Sequence, residues 1–263
     1  MLLEDKNAVI YGGGGSVGGA VARAFAREGA RVFLAGRTLA TLDRVAAEIA
    51  AAGGAVETAQ VDALDEGAVD RHADALAARA GRIDVSFTAI NHGDVHGAPL
   101  VEMAVEDFTR PISVAARAHF LTFRAAARRM IRQGSGVILA LTASTARLAI
   151  PEVGGTGVTF DLIESLCRQW ACELGRHGVR VAWLQTTGLP EALQAGLDRF
   201  PGYGTGAGMT RAELIAWMQG KAMLDRLATL AEVGEAAAFL ASDRAGAMTA
   251  AAANLTCGQV PSR

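Results

Sequence analysis

Short apolar runs alternate with longer Ala-rich helical patterns along almost the whole chain, and this alternation constrains the fold more than any other feature. The predicted strands are Asn7–Tyr11, Arg31–Ala35, Ala55–Gln60, Val85–Ala89, Gly136–Leu141, Arg180–Gln185 and Ala251–Leu255. The predicted helices are Gly18–Glu28, Ala40–Ala52, Glu66–Ala80, Val105–Ile131, Thr156–Arg176 and Ala231–Ser242. Strands separated by helices pair in parallel through right-handed crossovers. The pattern therefore predicts an α/β fold, with helices on both faces of a parallel sheet of about seven strands.

Size and composition narrow the class of protein further. The 263 residues suit one domain, residues 1–263, with a single core. Hydrophobic residues make up 51% of the chain and the formal net charge is −2, so neither disorder nor a nucleic-acid-binding surface is indicated. No apolar run reaches the ~20 residues of a membrane span, and no signal-peptide pattern is present. We therefore expect a cytoplasmic protein that binds neither nucleic acid nor membrane.

Two segments depart from the regular pattern. Residues 189–221 are irregular, with two prolines and a glycine-rich run over 202–208, before a predicted helix at Arg211–Met218. A long insertion at the carboxyl end of a late strand is typical of a substrate lid. Pro111 lies inside the fourth helical pattern, and because proline lacks an N–H, that helix should start late or kink there.

A cluster of glycines follows the first predicted strand and precedes the first helix. It reads Tyr11-Gly12-Gly13-Gly14-Gly15-Ser16-Val17-Gly18 and contains the spacing Gly13-x-Gly15-x-x-Gly18. Glycines at this position allow a tight turn and a close approach of the backbone to a pyrophosphate, which binds at the positive end of the helix. The cluster predicts a three-layer, Rossmann-type doubly wound fold. The predicted dinucleotide-binding residues in this cluster are Gly12, Gly14, Gly15, Ser16, Val17 and Gly18.

The end of the second predicted strand indicates which dinucleotide binds. An acidic residue there would hydrogen-bond the ribose hydroxyls of NAD. This chain has Gly36 at that position, followed by Arg37. Because a guanidinium forms charged hydrogen bonds with a phosphate, Arg37 favours NADP(H) over NAD(H). The alternative interpretation is an arginine in a solvated loop.

Several stretches resemble the short-chain dehydrogenase/reductase superfamily over nearly the whole length of the chain. They are the glycine turn, Phe120–Met130, Ala171–Val181, and a C-terminal segment that contains Arg226–Thr229 and Phe239–Asp243. One departure is Ser16, which stands where the family has the middle glycine of its turn. The resemblance implies a contact of Asp62 with the adenine. It also implies further cofactor contacts from Ala63, Ala89, Ile90 and Leu189.

The catalytic residues of that family are missing from this chain. The family uses an Asn, a Ser and a Tyr-x-x-x-Lys pair, whose tyrosine exchanges a proton with the substrate. The corresponding positions are Ala115, Ala143, Thr156 and Phe160. A shifted alignment does not restore the set, because the only tyrosines are Tyr11 and Tyr203 and the only lysines are Lys6 and Lys221. General acid–base catalysis is typically worth ~10² to 10⁴-fold, so ordinary ketone reduction should be severely impaired.

Other polar residues are predicted near the same cleft. His92, Asp94 and His96 follow the fourth strand, Ser144 follows the fifth, and Tyr203 lies in the predicted lid. These five are the candidate surrogates for proton transfer. Thr142 and Thr145 join Ser144 as possible ligands of a carbonyl oxygen. The competing interpretation is that the polar loop is solvated and that the hydroxyl groups cap the backbone. No metal site is expected, because neither the histidines nor the three cysteines (Cys167, Cys172, Cys257) form a ligand cluster.

Three functional hypotheses follow from these observations. The first is an atypical NADP-dependent oxidoreductase that reduces a pre-activated substrate, either a C=N bond or a conjugated C=C/C=O system. The second is a catalytically silent homologue that binds a nucleotide or a partner protein. The third is a non-redox cyclase or isomerase that uses the same cleft. A homotetramer or homodimer is expected in each case, because the helices at Val105–Ile131 and Thr156–Arg176 resemble those of the family's main interface.

Overall fold

The strands form one parallel sheet in a computed structural model that describes residues 1–193, 200–205 and 208–261. The strands are β1 (Asn7–Tyr11), β2 (Arg31–Gly36), β3 (Val56–Gln60), β4 (Val85–Thr88), β5 (Gly136–Ala143), β6 (Val179–Thr186) and β7 (Ala251–Leu255). Their order is β3-β2-β1-β4-β5-β6-β7. The chain order reverses between β1 and β4, and open parallel sheets bind ligands in the crevice at such a point.

Helices cover both faces of this sheet. They are α1 (Ser16–Arg27), α2 (Leu39–Ala51), α3 (Glu66–Ala80), α4 (Val105–Gln133), α5 (Thr156–Leu174), α6 (Arg211–Gln219) and α7 (Leu230–Ala241). One core packs α1, α2 and α7 against the sheet, and the other packs α3, α4 and α5 against the opposite face. The predicted three-layer, doubly wound α/β fold with seven strands is therefore confirmed.

The central strands are mostly apolar because both of their faces are covered. In β1, Ile10 packs into the core on the α1 side, while its neighbour Val9 packs into the core on the α4 side. All four residues of β4 are buried. This two-sided burial explains why apolar residues run continuously along the central strands instead of alternating with polar ones.

The expected late start of the fourth helix is wrong. Helix α4 begins at Val105 and continues through Pro111, and two acidic residues lie in its first turn, where they suit the helix dipole. Pro111 is buried, and an added Cβ on Gly155 would lie 3.2 Å from its Cγ. Pro111, in the second turn of α4, therefore packs against the loop that precedes α5.

The predicted lid contains a small apolar cluster of its own. Phe200, Leu214, Met218 and Leu227 form its buried part. Helix α6 begins at Arg211, the predicted first residue. A capping box between Thr210 and Glu213 caps its N-terminus. Residues 194–199 and 206–207 of the predicted insertion lie outside the described part of the chain. Within the described residues, no helix combines the length and apolarity needed to cross a bilayer.

Candidate active site

The glycine turn brings three elements into close contact. Gly12 has a φ of +85°, and a Cβ added there would lie 2.2 Å from the carbonyl oxygen of Ala89, just after β4. A Cβ on Gly18, in α1, would lie 2.2 Å from the carbonyl oxygen of Gly12. Neither approach leaves room for a side chain. The turn thus holds the start of α1 directly over the ends of β1 and β4.

A cavity of about 490 Å³ opens over this turn. The predicted cofactor residues that line it are Gly12, Gly14, Gly15, Arg37, Asp62, Ala63, Ala89 and Ile90. Ser16, Val17 and Gly18 form the first turn of α1 beside it, and Leu189 is buried in the core. The cavity combines a helix N-terminus for phosphates with a groove that ends at Asp62, so the residues present fit a dinucleotide.

The groove ends in a loop with an unpaired arginine. Arg37 is exposed, and within the described residues its side chain forms no hydrogen bond or ion pair. Its backbone carbonyl accepts a 2.9 Å hydrogen bond from Nε2 of Gln60, which fixes the loop. A Cβ on Gly36 would lie 3.3 Å from Cδ2 of Leu42, so an acidic side chain would be crowded there. The end of β2 therefore offers a free cation and little space for a carboxylate.

A second, smaller cavity of about 150 Å³ lies between α5 and the lid. Apolar and aromatic side chains form most of its wall. These are Ile150, Val153, Phe160, Tyr203, Trp217 and Met218. Its polar lining residues include His96, Ser144, Thr145, Thr156 and Gln259. Three of the positions that the resemblance assigns to the family's catalytic set (Ala143, Thr156 and Phe160) also lie on this wall, whereas Ala115 is fully buried in α4.

A chain of hydrogen bonds joins three residues at this second cavity. The Thr156 hydroxyl donates to Oδ1 of Asp94 at 3.2 Å, and Nε2 of His96 lies 2.9 Å from the same hydroxyl oxygen. Because a hydroxyl has a single proton to donate, this arrangement makes Nε2 of His96 the donor to Thr156. The structure therefore brings the predicted residues Asp94 and His96 together around Thr156.

The surroundings shift the pKa values of both ionisable members of this chain. Burial lowers the pKa of His96, while the negative charge of Asp94 acts in the opposite direction. Asp94 is exposed as a residue, but protein packs around its carboxylate, and this desolvation raises the pKa of Asp94. The hydrogen bond from Thr156 opposes that rise.

Tyr203 reaches the same cavity from the lid. Its ring meets those of His96 and Trp217 edge to face, at centroid distances of 6.2 and 5.4 Å. Burial raises the pKa of Tyr203, and its φ of +64° places it in the left-handed region. The predicted proximity of the lid phenol to the cleft is thus present in the structure.

His92 is separated from the other candidate surrogates. It lines the cofactor cavity, and its ring contacts Phe160 and His119, each at a centroid distance of 5.8 Å. Burial lowers the pKa of His92 to about 4 and that of His119 to about 3. Both rings are therefore neutral near pH 7. Sequence reasoning missed His119, since its position on α4 resembles that of any residue on the buried face of a helix.

The hydroxyl groups after β5 have different surroundings. Ser144 and Thr145 line the second cavity, and the buried hydroxyl oxygen of Thr145 has no hydrogen-bond partner in the described residues. Thr142 lies deeper, with Glu164 and the carbonyl of Leu184 as its acceptors. Sequence reasoning missed Gln259, which is 9% exposed and whose Oε1 also has no partner in the described part of the chain. Only the path of the chain after β7 brings Gln259 here, so no local pattern signals it.

No cluster of three or more His, Cys, Asp or Glu residues that could hold a metal ion occurs in the described residues.

Comparisons with known proteins agree with this architecture. A family model described as enoyl-(acyl carrier protein) reductase matches residues 13–259. An uncharacterized oxidoreductase of Mycobacterium tuberculosis is 34% identical over 188 residues, which cover 70% of this chain and 68% of the relative. A probable galactose dehydrogenase of Rhizobium meliloti is 30% identical over 254 residues, which cover 95% of this chain and 93% of the relative.

Solved structures share the fold. An NAD⁺-bound xylitol dehydrogenase superposes with a TM-score of 0.87 at 21% identity, covering 98% of this chain and 100% of that chain. A gluconate 5-dehydrogenase from Burkholderia cenocepacia, in complex with NADP and tartrate, gives a TM-score of 0.84 at 24% identity, covering 98% and 96%. Together with the family match over most of the chain, the sequence relatives establish that this protein belongs to the short-chain dehydrogenase/reductase superfamily of oxidoreductases.

Proposed function

We propose that this protein is an NADP(H)-dependent reductase of a small, pre-activated substrate, a conjugated C=C–C=O system or a C=N bond. The observation that carries the proposal is the contrast between the two cavities. The cofactor cavity has its glycine turn and a free guanidinium, whereas the substrate cavity has Thr156 and Phe160 in place of the family's phenol and ammonium.

The preference for NADP(H) rests on the end of β2. Arg37 lines the cofactor cavity without a partner in the described residues, and Thr38 and Thr41 line the same end. A 2′-phosphate would pair there with the guanidinium, which would otherwise be left to solvent. For NAD(H), the site would need a carboxylate near Gly36, where Leu42 leaves little space. When bound, the cofactor would supply the hydride, and the chain's own residues would position the substrate and provide the proton.

Arg37→Ala is expected to weaken NADPH binding by about ten- to hundredfold, equivalent to the ~1.5–3 kcal/mol of a charged hydrogen bond. The affinity for NADH should change little, because NADH lacks the 2′-phosphate. Calorimetric titration of both cofactors measures the difference. Arg44→Ala is the matched control, since Arg44 is an exposed arginine on the adjacent helix α2 that does not line the cavity. Equal losses for both cofactors, or the same loss in the control, would remove Arg37 from this role.

The substrate must compensate for the missing phenol. Hydride addition to an ordinary ketone builds up charge on the carbonyl oxygen, and an acid must neutralise it. An iminium already carries a positive charge, and a conjugated enone spreads the incoming charge over an enolate. Both therefore need less from the protein. Ser144, Thr145 and Gln259 offer hydrogen bonds to such an oxygen from the cavity wall.

The size and walls of the second cavity indicate a small, flat molecule. Its volume of about 150 Å³ lies below the ~300–1,000 Å³ of typical ligand pockets. Phe160, Tyr203 and Trp217 present aromatic rings to it. A six-membered cyclic enone matches this size and flatness, so cyclohexenone is the first probe.

The test of this proposal is NADPH consumption in the presence of cyclohexenone. We expect enzyme-dependent oxidation of NADPH, at a rate that saturates with the concentrations of both NADPH and cyclohexenone. Binding of NADPH without consumption, across a panel of cyclic enones and imines, would favour a silent homologue instead. Conversion of the enone without NADPH consumption would favour a non-redox enzyme. The name of the Rhizobium meliloti relative, a probable galactose dehydrogenase, supports redox chemistry as the starting expectation.

We also expect a homotetramer or homodimer. Phe120 on α4 is 44% exposed and Val158 on α5 is 50% exposed, and the ring of Phe120 lies 6.0 Å from that of Trp170 on α5. An exposed apolar surface formed by two adjacent helices is typical of a subunit interface. Light scattering at micromolar concentration should give a multiple of the 27.2 kDa chain mass, and Phe120→Glu should lower it. A monomer mass for the wild type would contradict this expectation.

A further inference from the structure

We propose that His96 donates the proton to the reduced substrate, and that Thr156 and Asp94 act as positioning residues that hold its ring. This inference rests on the proposed reductase function. It assigns a new role to the position of the lost tyrosine. Thr156 does not supply the acid at this position. Its hydroxyl instead orients a histidine that reaches the cavity from the loop after β4.

The hydrogen-bond directions leave one nitrogen of His96 for a ligand. Asp94 accepts from the Thr156 hydroxyl, so Nε2 of His96 must donate to that hydroxyl. Within the described residues, no hydrogen bond reaches Nδ1 of His96, while the side chain lines the substrate cavity. Nδ1 is therefore the atom available to a bound substrate.

Thr156 is rigidly placed for this role. It is the first residue of α5, it is 7% exposed, and its backbone N–H donates to the carbonyl of Val153 at 3.2 Å. Its branched side chain has few accessible rotamers. Because the hydroxyl accepts from one partner and donates to the other, it fixes the tautomer of His96 in the way that a carboxylate orients a catalytic histidine.

The charged and titratable groups around His96 make its imidazolium a proton donor of moderate acid strength. Asp94, on the same loop, acts through Thr156 and stabilises the imidazolium. Tyr203 approaches from the lid, and burial raises its pKa, so its phenol stays neutral near pH 7. Glu152, which precedes α5, contributes its backbone carbonyl to the N–H of Gly97 beside His96.

The chemical step balances with these groups. Hydride from NADPH adds to the β-carbon of the enone, and the π electrons of the C=C bond move to give an enolate. The enolate oxygen takes the proton from Nδ1–H of the His96 imidazolium. The products are the enol, which becomes the ketone in water, NADP⁺, and a neutral His96 whose Nε2–H bond to Thr156 is unchanged. Solvent then restores the imidazolium.

Nuclear magnetic resonance of isotope-labelled histidine tests the geometry without catalysis. The chain has five histidines, and the spectrum of His96→Gln identifies the signals of His96. The wild type and Thr156→Ser should show neutral His96 protonated on Nε2. Thr156→Val, which removes only the hydroxyl, should lose this single tautomer. A wild-type ring protonated on Nδ1, or a spectrum that Thr156→Val leaves unchanged, would overturn the inference.

Kinetics with cyclohexenone and NADPH test the proton transfer. His96→Gln should lower kcat by ~10²-fold, the lower end of the usual worth of a general acid because the enone itself spreads the incoming charge, while the Kd for NADPH stays within about threefold. Thr156→Val should lower kcat by at least about tenfold, and Thr156→Ser should restore most of it. His177→Gln, on the surface after α5, is the control for loss of a histidine. Retention of more than about a third of wild-type kcat by folded His96→Gln would overturn the inference.

The pH dependence gives a third readout. Donation requires the imidazolium, and burial lowers the pKa of His96, so kcat for reduction should rise as the pH falls below the ordinary histidine value of ~6.5. Asp94→Asn removes the charge that supports the imidazolium, and the rising limb should move to lower pH. A limb that stays in place in Asp94→Asn would overturn the role of Asp94. Failure of the proposed reductase function would appear differently, as no NADPH consumption by a protein whose His96 tautomer is as expected.

Discussion

The wild-type protein should reduce cyclohexenone at least about a hundredfold faster than cyclohexanone when NADPH is in excess. The two compounds differ by one C=C bond and are close in size. The ratio of their reduction rates therefore reports the activation of the carbonyl group by conjugation rather than a difference in binding. The saturated ketone needs a strong proton donor at the moment of hydride transfer, a contribution worth ~10² to 10⁴-fold. At the position that the resemblance assigns to the family's tyrosine, this chain has Thr156, whose aliphatic hydroxyl is a much weaker acid than a phenol.

Initial rates of NADPH consumption with each compound measure this ratio. The dissociation constants of both compounds in the presence of the oxidised cofactor serve as the control, and they should agree within about tenfold. Rapid reduction of cyclohexanone would show that the cavity holds a strong acid, either His96 or another group. Tyr203→Phe would then decide whether the lid phenol is that group, because it is the one phenol that lines the cavity among the described residues.

Gly18→Ala should abolish measurable NADPH binding, a loss of at least about a hundredfold, whereas Gly175→Ala should bind as well as the wild type. A Cβ at position 18 would lie 2.2 Å from the Gly12 carbonyl oxygen, and backbone atoms cannot move aside as a flexible side chain can. The turn and the first turn of α1 must therefore separate, and the phosphate site is lost with them. Gly175 follows α5 with helical backbone angles and does not line the cofactor cavity, and no atom outside the neighbouring backbone lies within 4 Å of a Cβ added there.

Thermal unfolding completes this comparison. Overpacking costs ~1–3 kcal/mol, and for a chain of this length each kcal/mol lowers Tm by ~2–4 °C. Gly18→Ala should therefore melt several degrees below Gly175→Ala. Equal NADPH affinity and equal Tm for the two variants would show that the close approach of α1 to the turn is unimportant.

The fold could be predicted from the sequence because its signals are local. Central strands buried on both faces appear as apolar runs, and β1 is bounded in the structure by the predicted residues, Asn7 and Tyr11. The glycine turn was recognisable because steric exclusion at Gly12 and Gly18 leaves no other residue type. The local signal of Pro111 was misleading about the start of α4, and the contact of Pro111 with Gly155, far away in the sequence, has no local signal.

The arrangement of the substrate cavity could be predicted only in part. Sequence reasoning identified Asp94, His96 and Tyr203 as candidates, but not the hydroxyl that links the first two. That link depends on how the loop after β4 folds back onto the start of α5, and loop conformation leaves no periodic signal. The same reasoning grouped His92 with His96. The two residues are four positions apart on this loop, but their rings face different cavities.

Transfer of deuterium from the cofactor to the substrate is the most direct test of the proposed reduction. NADPH carrying deuterium at the transferable position of the nicotinamide is incubated with the protein and cyclohexenone, and the product is analysed by mass spectrometry and proton resonance. We expect cyclohexanone with one deuterium at the β-carbon. Recovery of unchanged cyclohexenone beside tightly bound NADPH, or of a converted product without deuterium, would contradict it.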